Sequence, residues 1–251
     1  QGNKKLSKRD GAKDILAYRE EGYLPDAMLN FLASLGWNDG TEQEVFTRDE
    51  LIEKFSLKRV QKSGARFDEK RLLWLNGAHI RNIPVDKLYN YVSPWNDNPQ
   101  KDRRQTGFWP ESAYAPNITK EYRMKVLALA QDRLKMFEDL RGFGYFFTEP
   151  EINLELIGGN KQLKKLSENE RRKLLETARH ELAKLTDWTP ESIQNCLNKL
   201  LETTGQKPGI LFSLIRIAVT WAPFSPQLND TLALIGCERT LARLQSFLSI
   251  N

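Results

Sequence analysis

The sequence predicts an all-α protein built from two to three helical subdomains. Apolar residues recur every three to four positions along most of the 251-residue chain, the spacing of a helix face. Two predicted helices begin with a capping box, in which a serine or threonine precedes a glutamate by three residues: Thr47 with Glu50, and Ser167 with Glu170. Alternation typical of a strand is confined to one short stretch, residues 144–152.

The first part of the chain contains four predicted helices, within residues 24–37, 47–55, 67–77 and 84–92. The first has an apolar face and is predicted to stop at Gly36, because glycine is common just after a helix. The third is predicted to stop at Gly77 for the same reason. The fourth begins with Pro84, a residue favoured in the first turn of a helix.

The stretch from Ser93 to Asn117 interrupts this pattern, with four prolines and no sustained period. It is predicted to be either a long connection or an ordered loop held by Trp95, Phe108 and Trp109. The main boundary is placed here. The predicted domains are residues 1–92, 93–157 and 158–251.

The second part of the chain is also predicted to be helical. One long amphipathic helix is expected from Ile118 to Leu140, stopped by Gly142. Thr189-Pro190 and Ser225-Pro226 each pair a capping residue with a proline, so each is predicted to start a helix. The capping box at residue 167 starts another, and a last amphipathic helix is predicted near the end of the chain.

Composition and motif content exclude several classes of protein. No apolar run approaches the roughly 20 residues needed to cross a membrane, so no membrane partner is expected. The first residues lack the apolar core of a signal peptide and two cysteines are too few for a disulfide framework, which predicts a cytoplasmic protein. Cys196 and Cys237 are predicted to be small core residues, and His79 and His180 helix-face residues. Their spacing fits no metal site.

The stretch KKLSKRDGAK, residues 4–13, has two interpretations. It is either a solvated basic segment or a loop whose lysines bind phosphate. Two ammonium groups near a serine hydroxyl suit the charge of a phosphoryl group in transfer. The motif alone is weak, and the chain contains no other nucleotide-binding signature and no complete catalytic site.

Three segments in the same order resemble bacterial glutamyl-tRNA synthetases, a family of class I aminoacyl-tRNA synthetases. They are KLSKRDGAKDILAYREEGYLPDAMLNFLASLGW, FDEKRLLWLNGAHIR and IRIAVTW…SPQLNDTLALIGCERTLARL. The resemblance implies that KLSKR is the second ATP-binding signature of a glutamate–tRNA ligase that uses ATP with Mg. The residues implied to contact ATP are Lys5, Ser7, Lys8 and Arg9.

The resemblance also implies what this chain does and does not contain. The nucleotide-binding α/β catalytic domain of the family has no counterpart in the sequence. The chain is therefore expected to be the C-terminal, tRNA-binding region, inactive as a catalyst by itself. A monomer that binds tRNA(Glu) is expected.

A basic segment lies between the second and third predicted helices and extends into the third, in a chain whose net charge is +5. Long cationic side chains beside a helix suit contacts with a phosphate backbone, although a solvated helix face is the alternative. The resemblance favours contact with the inner arm of tRNA. The residues are Lys58, Arg59, Lys62, Arg66, Lys70 and Arg71.

Two arginines are candidates for reading the anticodon. Arg216 is the only charged residue of the apolar run PGILFSLIRIAVTWAPF, so it is predicted to extend its charged end to the surface, to form a structural ion pair or to face a ligand. Arg133, in QDRLKMFEDL, is either a surface charge or a recognition residue. The resemblance implies that both contact anticodon bases and that Ser225 and Leu228 line the same pocket. Trp221 departs from the family pattern, which has glycine there.

Two further functions compete with the tRNA-binding hypothesis. A helical protein-interaction scaffold, derived from a synthetase but without an RNA role, would have the same helical pattern. A glutaminyl enzyme is a weaker alternative, because those enzymes typically carry β-barrel anticodon domains.

Overall fold

The computed structural model describes residues 13–61, 66–93 and 107–250, and within them it confirms the all-α prediction, with no strand. The α-helices are α1 Ile15–Glu21, α2 Pro25–Ser34, α3 Arg48–Lys54, α4 Glu69–Arg81, α5 Val85–Val92, α6 Lys120–Ala130, α7 Glu155–Gly159, α8 Glu168–Leu182, α9 Pro190–Thr204, α10 Pro208–Thr220, α11 Leu228–Ile235 and α12 Cys237–Leu248. Short 3₁₀ helices span Leu57–Arg59, Glu111–Tyr114, Gln131–Arg133 and Leu163–Lys165. A longer 3₁₀ segment, Phe137–Phe146, is interrupted by a kink at Phe143.

The helices form two compact units. The first contains the residues up to Glu111 together with Gln131–Arg141, and the second contains Ser112–Ala130 and the residues from Gly142 onward. The chain thus leaves the second unit at Ala130 and returns to it at Gly142. The three domains proposed from the sequence divide the chain differently and remain a prediction.

The first unit is built around the packing of α2 on α4. Its core contains Tyr18, Met28, Phe31, Leu72 and Leu75, which α1, α2 and α4 contribute. Apolar residues on one face of each helix therefore supply the burial that stabilises the unit.

Helix α3 starts where the sequence predicted, because both hydrogen bonds of the capping box form. Thr47 Oγ1 accepts from the Glu50 backbone N–H at 3.2 Å, and the Glu50 carboxylate accepts from the Thr47 backbone N–H at 2.7 Å.

In the second unit, α8 packs against α9 and α12, and α10 packs against α12. The predicted starts of α8 and α9 are confirmed. Ser167 and Glu170 form the second capping box, and Thr189 caps α9 ahead of Pro190. Gly205, in the left-handed region with φ +64°, ends α9.

The prediction of one long helix from Ile118 to Leu140 is wrong. Helix α6 ends at Ala130, and two 3₁₀ helices follow it. The Asp139 carboxylate accepts hydrogen bonds from the backbone N–H groups of Lys135 at 2.7 Å and Met136 at 3.0 Å. These donors are therefore satisfied by a side chain rather than by a preceding helical turn.

The predicted stop of a helix at Gly77 is also wrong, because α4 continues to Arg81. A Cβ atom at Gly77 would lie 3.2 Å from the carbonyl oxygen of Leu134. Gly77 therefore allows the backbone of residues 134–135 to approach closely, and it does not mark the end of a helix. At the next helix, Pro84 is the N-cap and Val85 the first helical residue.

Two of the three aromatic residues predicted to hold the proline-rich stretch lie in the described part of the chain. The Phe108 backbone N–H donates to the Val92 carbonyl at 2.8 Å, and Trp109 Nε1 donates to Ser93 Oγ at 3.1 Å. Residues 107–109 are thus attached to the end of α5. Trp95 lies outside the described residues.

Candidate nucleic-acid interface

The residues implied to contact ATP, Lys5, Ser7, Lys8 and Arg9, lie outside the described residues. Their assignment remains a prediction from the sequence.

The basic segment is exposed where the structure describes it, and Lys62 alone of its six residues lies outside that part. Arg59 Nη1 donates to the backbone carbonyl of Asp39, and Arg71 Nη2 lies 3.4 Å from a Glu44 carboxylate oxygen. Among the described residues, no carboxylate pairs with Lys58, Arg66 or Lys70. Those three cations are exposed, and no carboxylate in the described part of the chain neutralises them.

Asp68 is one of two adjacent acidic residues within this segment, the other being Glu69. The Asp68 carboxylate caps α4 by accepting from the backbone N–H groups of Lys70 at 2.9 Å and Arg71 at 3.3 Å. A carboxylate at a helix N-terminus is stabilised by the unpaired N–H groups there. Asp68 therefore begins α4 rather than pairing with the cationic side chains.

Arg133 lies in the first unit, on the 3₁₀ helix Gln131–Arg133, and its side chain is exposed. Leu134, directly after it, is fully buried. Among the described residues, its guanidinium has no hydrogen-bond or ion-pair partner. The arginine thus projects outward from a turn whose next residue is anchored in the core.

Arg216, Ser225 and Leu228 lie in the second unit, and the first two are in direct contact. Arg216, half-buried on α10, donates from Nε to Ser225 Oγ at 2.8 Å. The Ser225 hydroxyl in turn donates to the Pro226 carbonyl at 2.8 Å. Leu228 is buried and is the first residue of α11. The structure therefore brings this arginine to the loop that the sequence analysis assigned to its pocket.

The prediction that Ser225 caps the following helix is wrong. The N-cap of α11 is Gln227, and no side chain in the described part of the chain caps this helix. The Ser225 hydroxyl is buried and occupied by Arg216 and Pro226, so it does not accept from the helix N-terminus.

Two residues near this site were missed by the sequence analysis. Tyr145 is buried, and its hydroxyl has no hydrogen-bond partner within the described residues. Burial raises the pKa of this hydroxyl well above its ordinary value, and the charges of Arg216 and Arg243 oppose that shift. Arg243 is itself almost fully buried. Neither residue belongs to a recognisable motif, since aromatic and basic residues at helical spacing are common.

Arg243 joins three segments of the second unit. Its guanidinium donates to the backbone carbonyls of Val219, Tyr145 and Thr148 at 3.0, 2.9 and 2.9 Å, and to the Glu149 carboxylate at 2.8 Å. Val219 lies in the last turn of α10, the helix of Arg216. We call Arg243 with Glu149 the arginine hub.

Trp221 follows α10 with φ +47°, the left-handed region that L-residues other than glycine rarely adopt. Its ring stacks on Phe247, with centroids 5.2 Å apart and an interplanar angle of 17°. The stacking offsets part of the backbone strain. The glycine that the resemblance implies for the family at this position would suit the same backbone conformation.

A cavity of about 370 Å³ lies in the second unit, away from the predicted site residues. Its lining includes Phe247, Lys164, Arg171 and Arg172. Arg172 donates to the carbonyls of Leu248 and Ile250, the last of these at 3.3 Å, so it satisfies the C-terminal end of α12.

The remaining predictions concern cysteines, histidines and excluded classes. Cys196 is buried, as predicted, and Cys237 is half-buried. His180 is exposed, whereas His79 is buried and hydrogen-bonded to Asn30 at 3.0 Å. Within residues 13–61, 66–93 and 107–250, no cluster of potential ligands is arranged to hold a metal ion. In the same part of the chain, no helix has the length and apolar character needed to cross a membrane.

Comparison with known protein families shows which family this chain belongs to. Residues 87–248, more than half of the sequence, match the model described as anticodon binding domain. The chain belongs to this anticodon-binding family. Residues 1–74 match the model described as the catalytic domain of class I tRNA synthetases (E and Q). The match to this catalytic domain thus covers much of the segment predicted to contact the tRNA stem.

Relatives of this anticodon-binding chain include glutamate–tRNA ligases. It is 35% identical over 243 residues to glutamate–tRNA ligase 1 of Alkalilimnicola ehrlichii, which covers 97% of the chain and 48% of the relative. It is 34% identical over 241 residues to the glutamate–tRNA ligase of Moorella thermoacetica, which covers 96% and 46%. The chain therefore spans about half the length of these curated relatives. The resemblance inferred from the sequence is confirmed.

Solved structures agree with this relationship. The glutamate–tRNA synthetase of Elizabethkingia anophelis is 25% identical, with a TM-score of 0.71 and coverage of 100% of the chain and 49% of that protein. A glutamate tRNA ligase from Elizabethkingia meningosepticum is 24% identical, with a TM-score of 0.70 and coverage of 99% and 49%. The second likeness is one of fold alone.

Proposed function

We propose that the protein is the tRNA-binding, anticodon-recognising region of an ATP-dependent ligase that attaches glutamate to tRNA(Glu). The observation that carries the proposal is the pair Arg216 and Ser225. A cation in an apolar helix is costly to desolvate unless it gains a partner, and the serine orients one edge of the guanidinium. In the proposal the guanidinium also contacts an anticodon base.

The chemistry of the anticodon suits this arrangement. Unstacked loop bases expose their pairing edges, and a planar guanidinium either hydrogen-bonds to such an edge or stacks on the base. Arg133 supplies a second guanidinium of the same kind, exposed on its turn. Ser225 and Leu228 form the polar and apolar walls beside Arg216 in the proposed pocket.

Outside the anticodon, the proposed contacts are electrostatic. The exposed cations of the basic segment bind the phosphate backbone, which positions tRNA without reading its sequence. In the whole enzyme, the KLSKR residues Lys5, Ser7, Lys8 and Arg9 contact ATP, whose Mg ion helps to neutralise the phosphates. We also propose that the protein is a monomer and acts in the cytoplasm.

The substitution Arg216→Gln tests the recognition step. We expect binding of the cognate tRNA(Glu) anticodon stem-loop to weaken by about 1–3 kcal/mol, and binding of a loop with a changed anticodon to stay nearly constant. Binding is measured by fluorescence anisotropy at fixed salt. Lys199→Gln is the control, because it removes an exposed charge from α9 of the same unit.

Three results would contradict the proposal. Equal weakening of cognate and altered loops would make Arg216 a phosphate contact, and unfolding of the second unit would make it a structural residue. The absence of saturable binding to tRNA(Glu) and to its stem-loop would instead favour the scaffold alternative.

The backbone contacts have their own test, a triple replacement of Lys62, Arg66 and Lys70 by glutamine. We expect affinity for all tRNAs to fall and the slope of log affinity against log salt to become shallower. The matched control removes three exposed lysines of the second unit, Lys161, Lys164 and Lys165. An unchanged salt slope in the first triple variant would leave the basic segment a solvated face.

A further inference from the structure

Two buried amide side chains of the first unit have no role in the contacts proposed so far. Gln131, two residues before Arg133, is 8% exposed, and Asn76 on α4 is 0% exposed. Buried amides are retained where their donors and acceptors are satisfied, so the partners of these two groups indicate what they do.

Gln131 attaches the start of the Arg133 turn to the end of α4. Its Nε2 donates to the carbonyls of Ile80 and Ile83, each at 2.8 Å, and lies 3.4 Å from the Arg81 carbonyl. Carbonyls near a helix C-terminus have no intrahelical partner, so one amide satisfies both α4 and the segment after it.

Asn76 attaches the other end of the turn. Its Nδ2 donates to the Lys135 carbonyl at 2.7 Å, and its Oδ1 accepts from the Leu24 backbone N–H at 2.8 Å. A carbonyl partner on one side and an N–H partner on the other fix the orientation of the amide. The neighbouring Gly77 allows the backbone at residue 134 to approach.

We infer that Asn76 and Gln131, the amide clamp, are positioning residues for anticodon recognition through Arg133. The inference rests on the function proposed above for that arginine. Its guanidinium has no partner among the described residues, so the region that it can reach depends on the position of the backbone that carries it. The clamp holds that backbone at both ends, which lowers the entropy lost when a base is bound.

The clamp also ties recognition to the phosphate contacts. Lys70 and Arg71 lie in the first turn of α4, and Asn76 and the Gln131 partner Ile80 lie further along the same helix. At 1.5 Å per residue, Arg71 and Ile80 are separated by about 14 Å along one rigid helix. The binding of the tRNA backbone at the start of α4 thereby determines where along the anticodon Arg133 makes its contact.

Gln131→Met and Asn76→Asp test the inference. Methionine keeps the length of Gln131 without a donor, and aspartate keeps the Asn76 acceptor for Leu24 while it loses the donor to Lys135. We expect each variant to weaken the cognate stem-loop about tenfold, within the range of a lost arginine–base contact, and to leave altered loops nearly unchanged. Amide hydrogen exchange at residues 132–136 is expected to accelerate.

Asn30→Asp is the matched control. Asn30 is also a buried amide of the first unit, but it bonds Phe46, Glu44 and His79 and makes no bond to the Arg133 turn. We expect this variant to lower stability while the ratio of cognate to altered binding stays at the wild-type value. A ratio reduced as strongly in this control would overturn the positioning role, because general loosening of the unit would explain it.

Arg133→Gln distinguishes the reading role proposed for Arg133 from the positioning role proposed for the amide clamp. If it lowers the ratio of cognate to altered binding and the clamp variants do not, the positioning role is overturned and the reading role stands. If Arg133→Gln leaves the ratio unchanged, the reading role of Arg133 fails and the clamp inference fails with it. Unchanged exchange at residues 132–136 in both clamp variants would also overturn the inference.

Discussion

The two units hold their candidate recognition arginines by different means. In the first, the turn of Arg133 is attached by neutral amides, Asn76 and Gln131. In the second, the helix of Arg216 is attached by the arginine hub, whose guanidinium is 4% exposed. Neutral amides neither titrate nor respond strongly to salt, whereas a buried cation depends on its partners. The attachments of the two arginines are therefore expected to differ in their sensitivity to mutation and pH.

The largest expected effect is at the arginine hub. Arg243→Ala removes the hydrogen bonds that this guanidinium donates to three backbone carbonyls and to Glu149, and we expect a loss of about 3–5 kcal/mol in the unfolding free energy of the second unit. Urea denaturation measures it. Arg239→Ala is the control, since Arg239 shares Glu149 but is more exposed, and we expect about 1 kcal/mol or less. Equal losses in both variants would contradict a special role for the buried guanidinium.

The next largest loss of stability is expected at a glycine of the first unit. Gly22 has φ +89°, and a Cβ atom there would lie 2.5 Å from Phe137 Cβ and 2.6 Å from its backbone nitrogen. We expect Gly22→Ala to cost about 2–4 kcal/mol, from the left-handed backbone and the clash together.

Gly205→Ala is the matched control for this substitution in the second unit. Its φ is +64°, but a Cβ there meets nothing within 4 Å, so only the backbone cost of about 1 kcal/mol is expected. Denaturation of both variants measures the difference, and similar costs would show that Phe137 moves aside easily.

Acid is expected to affect the two units in different pH ranges. Burial lowers the pKa of His79 below its ordinary value of 6.5, so the stability of the first unit falls as pH drops from about 6.5 toward the lower value in the folded state. The hydrogen bond from Arg243 lowers the pKa of Glu149 below 4.5, so the corresponding loss in the second unit begins only below about pH 4.5.

Regional hydrogen exchange between pH 3 and 7 measures this order. His79→Gln is expected to remove the upper transition from the first unit, and Glu149→Gln to weaken the lower one in the second. A second unit that loosens before the first as pH falls would contradict the assignment.

The predictions from sequence succeeded where the interaction was local. Thr47 with Glu50, and Ser167 with Glu170, are three residues apart, so the motif contains the whole interaction. The break after Ala130 was missed because the partners of Gln131 lie 48 to 51 residues earlier in the chain. No period in the sequence reports such a bond.

The candidate site shows the same limit. The isolation of Arg216 in an apolar run was visible in the sequence, and so was its relation to the following loop through the family resemblance. The hydrogen bond from Arg216 to Ser225 was not visible in the sequence, because a serine before a proline has the pattern of a helix cap. The amide clamp and the arginine hub were missed because single amides and arginines carry no motif.

The smallest expected effect concerns Trp221, a left-handed residue of the second unit that is not a glycine, in contrast to Gly22 of the first. Its ring stacks on Phe247, a contact worth about 0.5–1.5 kcal/mol, while its backbone conformation costs about 1–2 kcal/mol. Because the two nearly cancel, we expect Trp221→Gly to change the unfolding free energy by less than about 1 kcal/mol.

Trp221→Ala separates these contributions, since alanine keeps the strained backbone and loses the ring. We expect it to be less stable than Trp221→Gly by about 1 kcal/mol. Cognate stem-loop binding is measured on the same two variants. Loss of affinity in both, at nearly unchanged stability, would show that the indole contacts RNA instead of only filling the space beside Phe247. Equal stability of the glycine and alanine variants would show that the left-handed backbone relaxes once the ring is removed.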